Sequence, residues 1–452
     1  MKVSQELAKF VLQTGYQDVP TNTLKRAKSS LIDCVGAMLA GSQEEAANIV
    51  VRYLEKIGGT PEASVIGHKI KSSTYNAAMA NGIMGHIHDY DDMSSTLLGH
   101  PSVPVLPAVL ALGEENKISG KEALLAFTLG VEIECKIGRG TIPRHYENGW
   151  HPTSSIGIFG AATAAAKILG LSEQELVYAF GIAGSESSGL RQNFGTMTKP
   201  FHAGRAAAKG IMTASLAKGG LTSTEDIFEG EAGFCKVMAG NYDEKKIIDR
   251  LGNPFDVEDP GFTIKPYPTC GATHPAIDAV ISLSREYDLK LEQIEKIECG
   301  TVPIAKDVLI YPRPKSPLEG KFSMPYCLAV ALAERKVGFP HFTDDKIGDP
   351  EIRQSLERVD MYIAPEMADL GYRGAFNAKV KIVLKDGKEY TTRVDHGRGD
   401  PANPLSEEEL MEKYTDCAAL TLDSERIKRS KEMLLDLEQL PDIGMLMGTI
   451  SA

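Results

Sequence analysis

The sequence predicts a mainly helical protein with one α+β insertion, and three observations lead to this fold class. Apolar residues from Leu24 to Met38 recur at spacings of three and four, which is typical of one face of a helix. Residues 378–394 alternate between apolar and polar side chains, as strands do. After Pro404 the helical spacing returns and continues to Leu440. We therefore expect both chain ends to build one large all-helical domain around a smaller insertion.

Capping boxes mark where four of the helices are expected to begin. In this motif a hydroxyl residue and a glutamate three residues later satisfy the free N–H groups of a first turn. The motif occurs at Ser119–Glu122, Ser172–Glu175, Thr222–Glu225 and Ser406–Glu409. The chain has 452 residues, and a single core stops growing at about 250–300 residues, so two domains are expected. We predict that residues 1–262 and 396–452 form the all-helical domain.

The inserted domain is predicted to span residues 263–395 and to mix helices with strands. Residues 297–302 alternate as a strand does, and helical stretches cover 275–287 and 326–336. Two further alternating runs, 378–385 and 388–394, flank Asp386-Gly387. Asp-Gly between alternating runs is the strongest short hairpin signal, because both turn residues are expected to take positive φ. The insertion is thus expected to be an α+β unit.

Composition excludes several classes of protein. The net charge of −12 argues against a nucleic-acid binder, which needs a basic surface. No membrane span is expected, because the longest small-apolar run, 156–171, contains Lys167 and is shorter than the ~20 residues that a span needs. The first residues lack an apolar signal core. The seven cysteines show no C-x-x-C spacing, which favours free thiols, so a cytoplasmic location is expected.

The segment from His86 to Asp92, followed by Gly99-His100-Pro101-Ser102, holds two histidines and three carboxylates within seven residues. The H-x-H and D-x-D-D spacings suit a metal site with hard or borderline ligands. Metal-free acid–base chemistry is a second interpretation, and helix capping with surface charge is a third. The residues alone leave these three alternatives open.

Two further segments place imidazole and cationic groups near expected helix starts. In 195–205, Lys199 precedes a proline, so its backbone is expected to be extended and the helix to begin after it. Lys199, His202 and Arg205 together make a candidate carboxylate-binding corner, whereas a solvated lysine at a helix entry is the plainer interpretation. In 148–155, His151 either lines a pocket or caps the next helix.

The proline-rich loop 265–275 carries Cys270 and His274 ahead of a helix. A histidine in a first helical turn has its pKa lowered by the helix dipole. A catalytic Cys270–His274 pair and a buried structural cysteine are both compatible with this spacing. No nucleotide-binding, serine-hydrolase or zinc-protease motif occurs anywhere in the chain, so no cofactor is expected.

Six blocks of the sequence occur in an order that is typical of one family. They are HDYDD with GHPS at 88–92 and 99–102, GWHPT at 149–153, GTMTKP at 195–200, KPYP with THPA within 265–276, KFSMPY at 321–326 and GDPANPLS at 399–406. Together they resemble the MmgE/PrpD family, which includes 2-methylcitrate dehydratase, cis-aconitate decarboxylase and iminodisuccinate epimerase. The blocks cover nearly the whole chain.

The resemblance implies a large all-helical domain, a smaller α+β lid domain and a homodimer. It also implies a lyase or epimerase that needs neither metal nor cofactor and acts on a small di- or tricarboxylate in a cleft between the domains. By motif, Asp89, His100, Lys199 and His274 match active-site positions of the decarboxylase branch. Substrate binding is expected of four further residues, namely His151, His202, Lys265 and Tyr326.

The family reactions pass through a carbanion or enediolate beside a carboxylate, which requires a base and a stabilising charge. Lys199 is the candidate clamp, His274 and His100 are the candidate proton carriers, and Asp89 is expected to orient His100. Met93 stands where the family usually has threonine, which leaves the identity of the substrate open. A carboxylate-binding protein without activity and a metal-dependent hydro-lyase that uses His86 and His88 are the rival interpretations.

Overall fold

The computed structural model describes residues 2–374 and 377–451, and the chain forms two compact units. The helical unit comprises Met1–Phe262 and Ser406–Ala452, and the α+β unit comprises Thr263–Leu405. With 61% of residues in helices and 8% in strands, the protein belongs to the mainly helical class that the sequence predicts. The second unit ends at Leu405 rather than at 395, because the Ile264 amide donates to the Gly399 carbonyl and the Arg398 amide donates to Asp278.

The helical unit is built from long helices joined by short turns. Its helices are Val3–Gln13, Thr21–Gly41, Glu45–Ile57, Thr74–His86, Ser102–Asn116, Gly120–Thr141, Arg144–Glu147, Pro152–Ser155, Gly157–Leu169, Glu173–Glu186, Thr198–Lys218, Phe234–Ala239, Glu244–Ile248, Glu407–Ala418, Ser424–Leu435 and Gly444–Ile450. Ala63–Ser64 and Lys71–Ser72 pair as a short antiparallel ribbon, and Met93–Ser94 is a two-residue strand. No described helix has the length and apolar character to cross a membrane.

Three of the four predicted capping boxes are confirmed. Ser119, Ser172 and Ser406 each accept from the amide three residues on, and each glutamate accepts in return. The helix start predicted at Thr222–Glu225 is wrong. There the Thr224 hydroxyl bonds Asp226, and Glu225 pairs with Lys2 at 3.2 Å, so the glutamate does not return to the backbone.

The helix that carries Lys199 begins earlier than the sequence predicts. Thr198–Lys218 is continuous, so Lys199 is helical rather than extended. Pro200 is tolerated because the N–H groups of a first turn have no partner within the helix. Farther along, a side-chain carbon on Gly204 would lie 2.1 Å from the Met79 carbonyl oxygen. Glycine here lets this helix pack closely against Thr74–His86, and both helices carry site residues.

The α+β unit has a four-stranded sheet beside short helices. The strand order is Val359–Ile363, Ile294–Thr301, Ala378–Leu384 and Glu389–Val394, with the first pair parallel and the others antiparallel. The helices are His274–Glu286, Pro303–Val308, Pro317–Gly320, Met324–Glu334, Asp344–Gly348 and Pro350–Ser355, with a 3₁₀ segment at Pro365–Gly374. Phe262–Thr263 is a two-residue strand at the boundary between the units.

The predicted hairpin forms, but its turn differs from the expected type. Gly387 takes a φ of 84°, whereas Asp386 is not among the described residues with positive φ. Asp386 instead accepts from the Lys388 amide at 3.1 Å through its carboxylate. A side-chain bond of this kind stabilises a turn without a left-handed residue, so only the glycine needs the unusual backbone.

Candidate active site

A tight turn after the helix Thr74–His86 brings a histidine and an aspartate together. Asp89 has a φ of 53°, in the left-handed region that aspartate tolerates better than most residues. Two residues later, Asp91 reaches back to the helix end, and the Nδ1 atom of His86 donates to both of its carboxylate oxygens at 2.9 and 3.0 Å. Both side chains are fully buried.

The ring of His100 lies between two carboxylates. Its Nε2 is 3.3 Å from Asp89 Oδ1, and its Nδ1 is 3.2 Å from Asp91 Oδ2. The Nδ1 contact has the distance of an ion pair but not the direction of a hydrogen bond. The His100 amide donates to Thr153 Oγ1 at 2.9 Å. A carboxylate oxygen faces each ring nitrogen of His100, so this arrangement suits a proton donor.

Lys199 completes a group that we call the site cluster: His86, Asp89, Asp91, His100 and Lys199. Its Nζ donates to Asp89 Oδ1 at 2.8 Å, the same oxygen that faces His100. The lysine is only 6% exposed, and its ammonium lies 5.3 Å from the centre of the Phe194 ring. A buried ammonium and an imidazole therefore meet at one carboxylate oxygen.

Charge within the site cluster is set by burial and by the imidazoles. Burial opposes ionisation of Asp91, but attraction from His100 and His86, together with the hydrogen bonds from His86, outweighs it and holds the pKa of Asp91 well below its usual range. Burial lowers the pKa of His86 to about 4, against the opposing attraction of Asp91. At neutral pH, Asp91 is thus an anion and His86 is a neutral donor.

A second pair of imidazoles lies beside the site cluster. His151 and His202 face each other with their Nδ1 atoms 3.1 Å apart, and His202 lies three residues after Lys199 on the same helix. Burial, with smaller effects of nearby cations, lowers the pKa of His151 well below its usual value and that of His202 to about 4. Both rings are neutral at pH 7, so in this contact one donates and the other accepts.

Three hydroxyl residues, Ser94, Ser95 and Thr96, follow Met93 directly in the chain. Met93 is half-buried in the strand Met93–Ser94. The Ser94 hydroxyl lies 2.8 Å from that of Thr96 and 3.7 Å from the Cys135 sulfur, and Ser95 is exposed. The hydroxyl of Ser94 is therefore already bonded, and replacement of the family threonine by one of these groups stays a prediction.

Four members of the site cluster have atoms that can bind a metal. The ligand atoms of His86, Asp89, Asp91 and His100 lie within 4.8 Å of one another. Within the described part of the chain this group does not include His88, whose Nε2 contacts the Ala40 carbonyl at 3.2 Å. The Lys199 ammonium already places a positive charge 2.8 Å from Asp89, which disfavours a second cation beside that carboxylate.

The other predicted site residues belong to the α+β unit. His274 begins the helix His274–Glu286, as the sequence predicts, and its Nε2 lies 3.2 Å from the Thr269 carbonyl oxygen. Lys265 is fully buried and Cys270 is half-buried. The Tyr326 hydroxyl donates to the His341 carbonyl, and its ring belongs to the core of this unit. Roles for these residues in substrate binding or proton transfer stay predictions.

Sequence reasoning missed His86 and Asp91 as parts of a metal-free site. From the residues alone, the segment from His86 to Asp92 is open to metal, acid–base or capping roles, and nothing in it distinguishes Asp91 from Asp92. The usable signal was the spacing of five residues between a histidine that ends a helix and an aspartate beyond a left-handed residue. That signal is weak, because the fold of the turn decides which aspartate returns to the helix.

Comparison with known proteins finds matches along nearly the whole chain. The family model described as the MmgE/PrpD N-terminal domain matches residues 5–246, and that of the MmgE/PrpD C-terminal domain matches 267–439. A cis-aconitate decarboxylase of Homo sapiens is 30% identical over 94% of this chain and 89% of its own length. Enzymes of the same name from Aspergillus terreus and Mus musculus are each 28% identical, over 99% and 98% of this chain and 96% and 92% of their own lengths.

Proposed function

The chain belongs to the MmgE/PrpD family, and we propose that it is a cofactor-free carboxy-lyase for a small unsaturated tricarboxylate. Cis-aconitate is the first candidate, because the relatives named above are cis-aconitate decarboxylases. Two other reactions, dehydration of 2-methylcitrate and epimerisation of iminodisuccinate, remain as alternatives for the test, as does carboxylate binding without turnover.

One observation carries the proposal. The Lys199 ammonium and the His100 imidazole meet at one oxygen of Asp89, at 2.8 and 3.3 Å, and all three side chains are buried. An ammonium placed where negative charge develops stabilises a carbanion-like state most strongly when water is excluded. An imidazole beside it supplies the proton that such a state needs.

The proposed reaction needs only cis-aconitate and one proton. In cis-aconitate, the bond between the saturated methylene carbon and its carboxylate breaks, and carbon dioxide leaves. The electron pair enters the adjacent double bond and forms an allylic carbanion conjugated with a second carboxylate. His100 delivers its proton to the carbon beside that carboxylate and then regains a proton from solvent. The trianion and one proton thus become itaconate and carbon dioxide.

The remaining groups have distinct proposed roles. Lys199 holds a substrate carboxylate and the developing enediolate oxygens, while Asp89 keeps Lys199 and His100 in position before the substrate arrives. Because one N–H of the neutral His151–His202 pair lies between the two rings, the Nε2–H of the accepting ring is the donor that remains for a second carboxylate. For His274, proton transfer is proposed on the sequence match, and Lys265 and Tyr326 are proposed on the same basis to bind substrate.

The reaction is tested by incubating the purified protein in deuterated water and following each compound by NMR. The panel contains cis-aconitate, itaconate, 2-methylcitrate, citrate and iminodisuccinate. Carbon dioxide release, water loss and epimerisation give different spectra. If the proposal is correct, the product is itaconate that carries one deuterium on its saturated methylene carbon. Binding of several compounds without exchange or turnover would instead support a carboxylate-binding protein.

A lysine on the same helix provides a matched control. Lys199→Met should lower kcat/KM by about 10²–10³-fold, the loss that is typical when one stabilising donor is removed. Lys209 also forms an ion pair, at 2.8 Å from Glu186, but it lies outside the site cluster. Lys209→Met should keep its activity within a few-fold of the parent. Equal activity of both variants would remove Lys199 from the mechanism.

Two further expectations have direct measurements. Dialysis against a strong chelator should leave the activity unchanged, and activity restored by one divalent metal would contradict the metal-free proposal. We also propose a homodimer, on the family resemblance alone. Light scattering should give twice the chain mass of 48.9 kDa.

A further inference from the structure

Asp91 is a buried carboxylate that serves two imidazoles at once. His86 Nδ1 donates to its two oxygens at 2.9 and 3.0 Å, and His100 Nδ1 lies 3.2 Å from Oδ2. The two rings also touch each other edge to face, with centroids 4.4 Å apart. His86 therefore holds Asp91 in place from one side, and Asp91 contacts the ring of His100 on the other side.

The hydrogen bonding of His86 is directed entirely at this carboxylate. Its Nε2 is buried and has no hydrogen-bond partner among the described residues. The low pKa of the ring, caused by burial, keeps it neutral. A neutral ring that donates from Nδ1 must carry its single proton there. The ring of His151 packs over it at a centroid distance of 5.8 Å, which limits its rotation.

We propose that His86 is a positioning residue for the reaction: it holds Asp91 so that Asp91 fixes the ring of His100, the proposed proton donor. The proposal rests on the proposed function for the role of His100. It does not depend on which carboxylate is the substrate. Misplacement of a reacting group by about 1 Å can cost about 100-fold in rate, so a residue that never touches substrate can control kcat.

Two substitutions separate the hydrogen bond from the bulk of the ring. His86→Asn places an amide N–H near the position of Nδ1–H and keeps a donor for Asp91. His86→Leu keeps an apolar side chain of similar size but removes the donor. We expect kcat of His86→Leu to fall about 100-fold with KM changed less than about threefold, and kcat of His86→Asn to be within about tenfold of the parent.

His145 supplies the matched control. It is also a buried histidine, with Nε2 2.7 Å from Ser155 Oγ and a pKa lowered to about 3 by burial. Its Nδ1, like Nε2 of His86, has no hydrogen-bond partner among the described residues. His145→Leu should destabilise the fold as His86→Leu does, but kcat should be preserved. A general loss of packing would lower both.

A second measurement needs no substrate. The chain has ten histidines, so nitrogen NMR of protein labelled only in histidine can resolve their rings. The parent should show His86, assigned through its loss in the variants, as the Nδ1–H tautomer. The ring signals of His100, assigned with His100→Asn, should shift in His86→Leu and stay close to the parent in His86→Asn.

The outcomes separate this proposal from the proposed function. The positioning role is overturned if His86 carries its proton on Nε2, or if kcat and the His100 signals are unchanged in His86→Leu. If the tautomer and the His100 shifts are as expected while no compound in the panel reacts, the positioning role stands and the proposed function fails. If His86→Leu does not fold, the tautomer of His86 in the parent protein still tests the positioning role.

Discussion

Asp91 and Asp92 are neighbours in the chain, and both are completely buried, yet they are held in opposite charge states. Burial raises the pKa of Asp92 to about 8, helped by repulsion from Asp33 and only partly offset by its hydrogen bonds. The pKa of Asp91 lies well below its usual range, because attraction from His100 and His86 overcomes the same burial. Equal burial thus leaves Asp91 charged and Asp92 mostly neutral at pH 7.

The difference comes from what each carboxylate faces. Asp92 accepts from the hydroxyl and the amide of Ser102, at 2.6 and 3.2 Å, and these neutral donors compensate only part of the desolvation. The cation on this side, Lys413, is 2.5 Å from Asp33 instead. Asp91 contacts two imidazoles directly. A charge is kept in this interior only where a group of opposite charge or a strong donor touches it.

Glu134 is a second buried carboxyl group whose pKa is raised. It is fully buried, neither carboxylate oxygen has a hydrogen-bond partner among the described residues, and burial with repulsion from Asp92 raises its pKa well above the usual value. Asp92, with a pKa of about 8, is therefore mostly protonated at pH 7, and burial favours the protonated form of Glu134 as well. Asp91 therefore presents a charged carboxylate to the site cluster, which we propose reacts, whereas Asp92 presents a largely protonated one to Ser102.

The largest effect on kcat is expected when Asp91 and Asp92 are each replaced by asparagine. Asp91→Asn removes the anion between the two imidazoles and should lower kcat by about 10³-fold or more, as loss of a histidine-orienting carboxylate does elsewhere. Asp92→Asn resembles the protonated acid already present and should stay within about tenfold of the parent. Steady-state kinetics on the reactive compound measures both. Similar losses would erase the distinction between the two residues.

The pH dependence of stability should reveal Asp92 directly. Its folded pKa of about 8 lies above the unfolded value of about 3.9, so the folded state keeps a proton that the unfolded state has lost. This stabilisation is complete below about pH 4 and is lost as pH rises through 8, at up to about 1.4 kcal/mol per pH unit. Urea unfolding at pH 6, 7 and 8 should show a shallower decline for Asp92→Asn. Parallel curves would contradict the raised pKa.

The neutral histidines should change the free energy of unfolding with pH in the opposite direction, and over a shorter pH range. The folded pKa of His202 is about 4 and its unfolded value is about 6.5, so the unfolded state binds the extra proton between them. The free energy of unfolding should therefore fall as pH decreases from 6.5 to 4. His202→Asn should flatten this decline in urea unfolding measured at pH 5, 6 and 7. An unchanged slope would mean that the ring is protonated in the folded protein.

The smallest effect is expected for a hydroxyl–carboxylate contact that faces solvent. Ser119 and Glu122 bond each other at 2.7 Å, close to the 2.6 Å of Ser102 and Asp92. Ser119→Ala should lower the free energy of unfolding at pH 7 by about 1 kcal/mol, which is typical of a lost helix cap, and leave activity unchanged. A loss of several kcal/mol would show that burial is not what distinguishes the two contacts.

Local patterns were sufficient for most of the secondary structure. Helix starts at Ser119, Ser172 and Ser406 and the bend at Gly387 follow from interactions within a few residues. The helix at Lys199 begins earlier than its proline predicts, because a proline restricts the residue before it but does not exclude it from a first turn. The helical spacing after Pro404 also does not predict the break between Glu407–Ala418 and Ser424–Leu435.

The order of the motifs along the chain is enough to predict the family, the mainly helical class and three members of the site cluster, Asp89, His100 and Lys199. Only the tertiary structure decided that Lys199 meets an aspartate 110 positions away, that His86 belongs to the same cluster, and that Asp91 is charged while Asp92 is not. The physical reason is that charge in an interior depends on contacts in space. Two identical side chains side by side in the chain differ only in what folding brings against them.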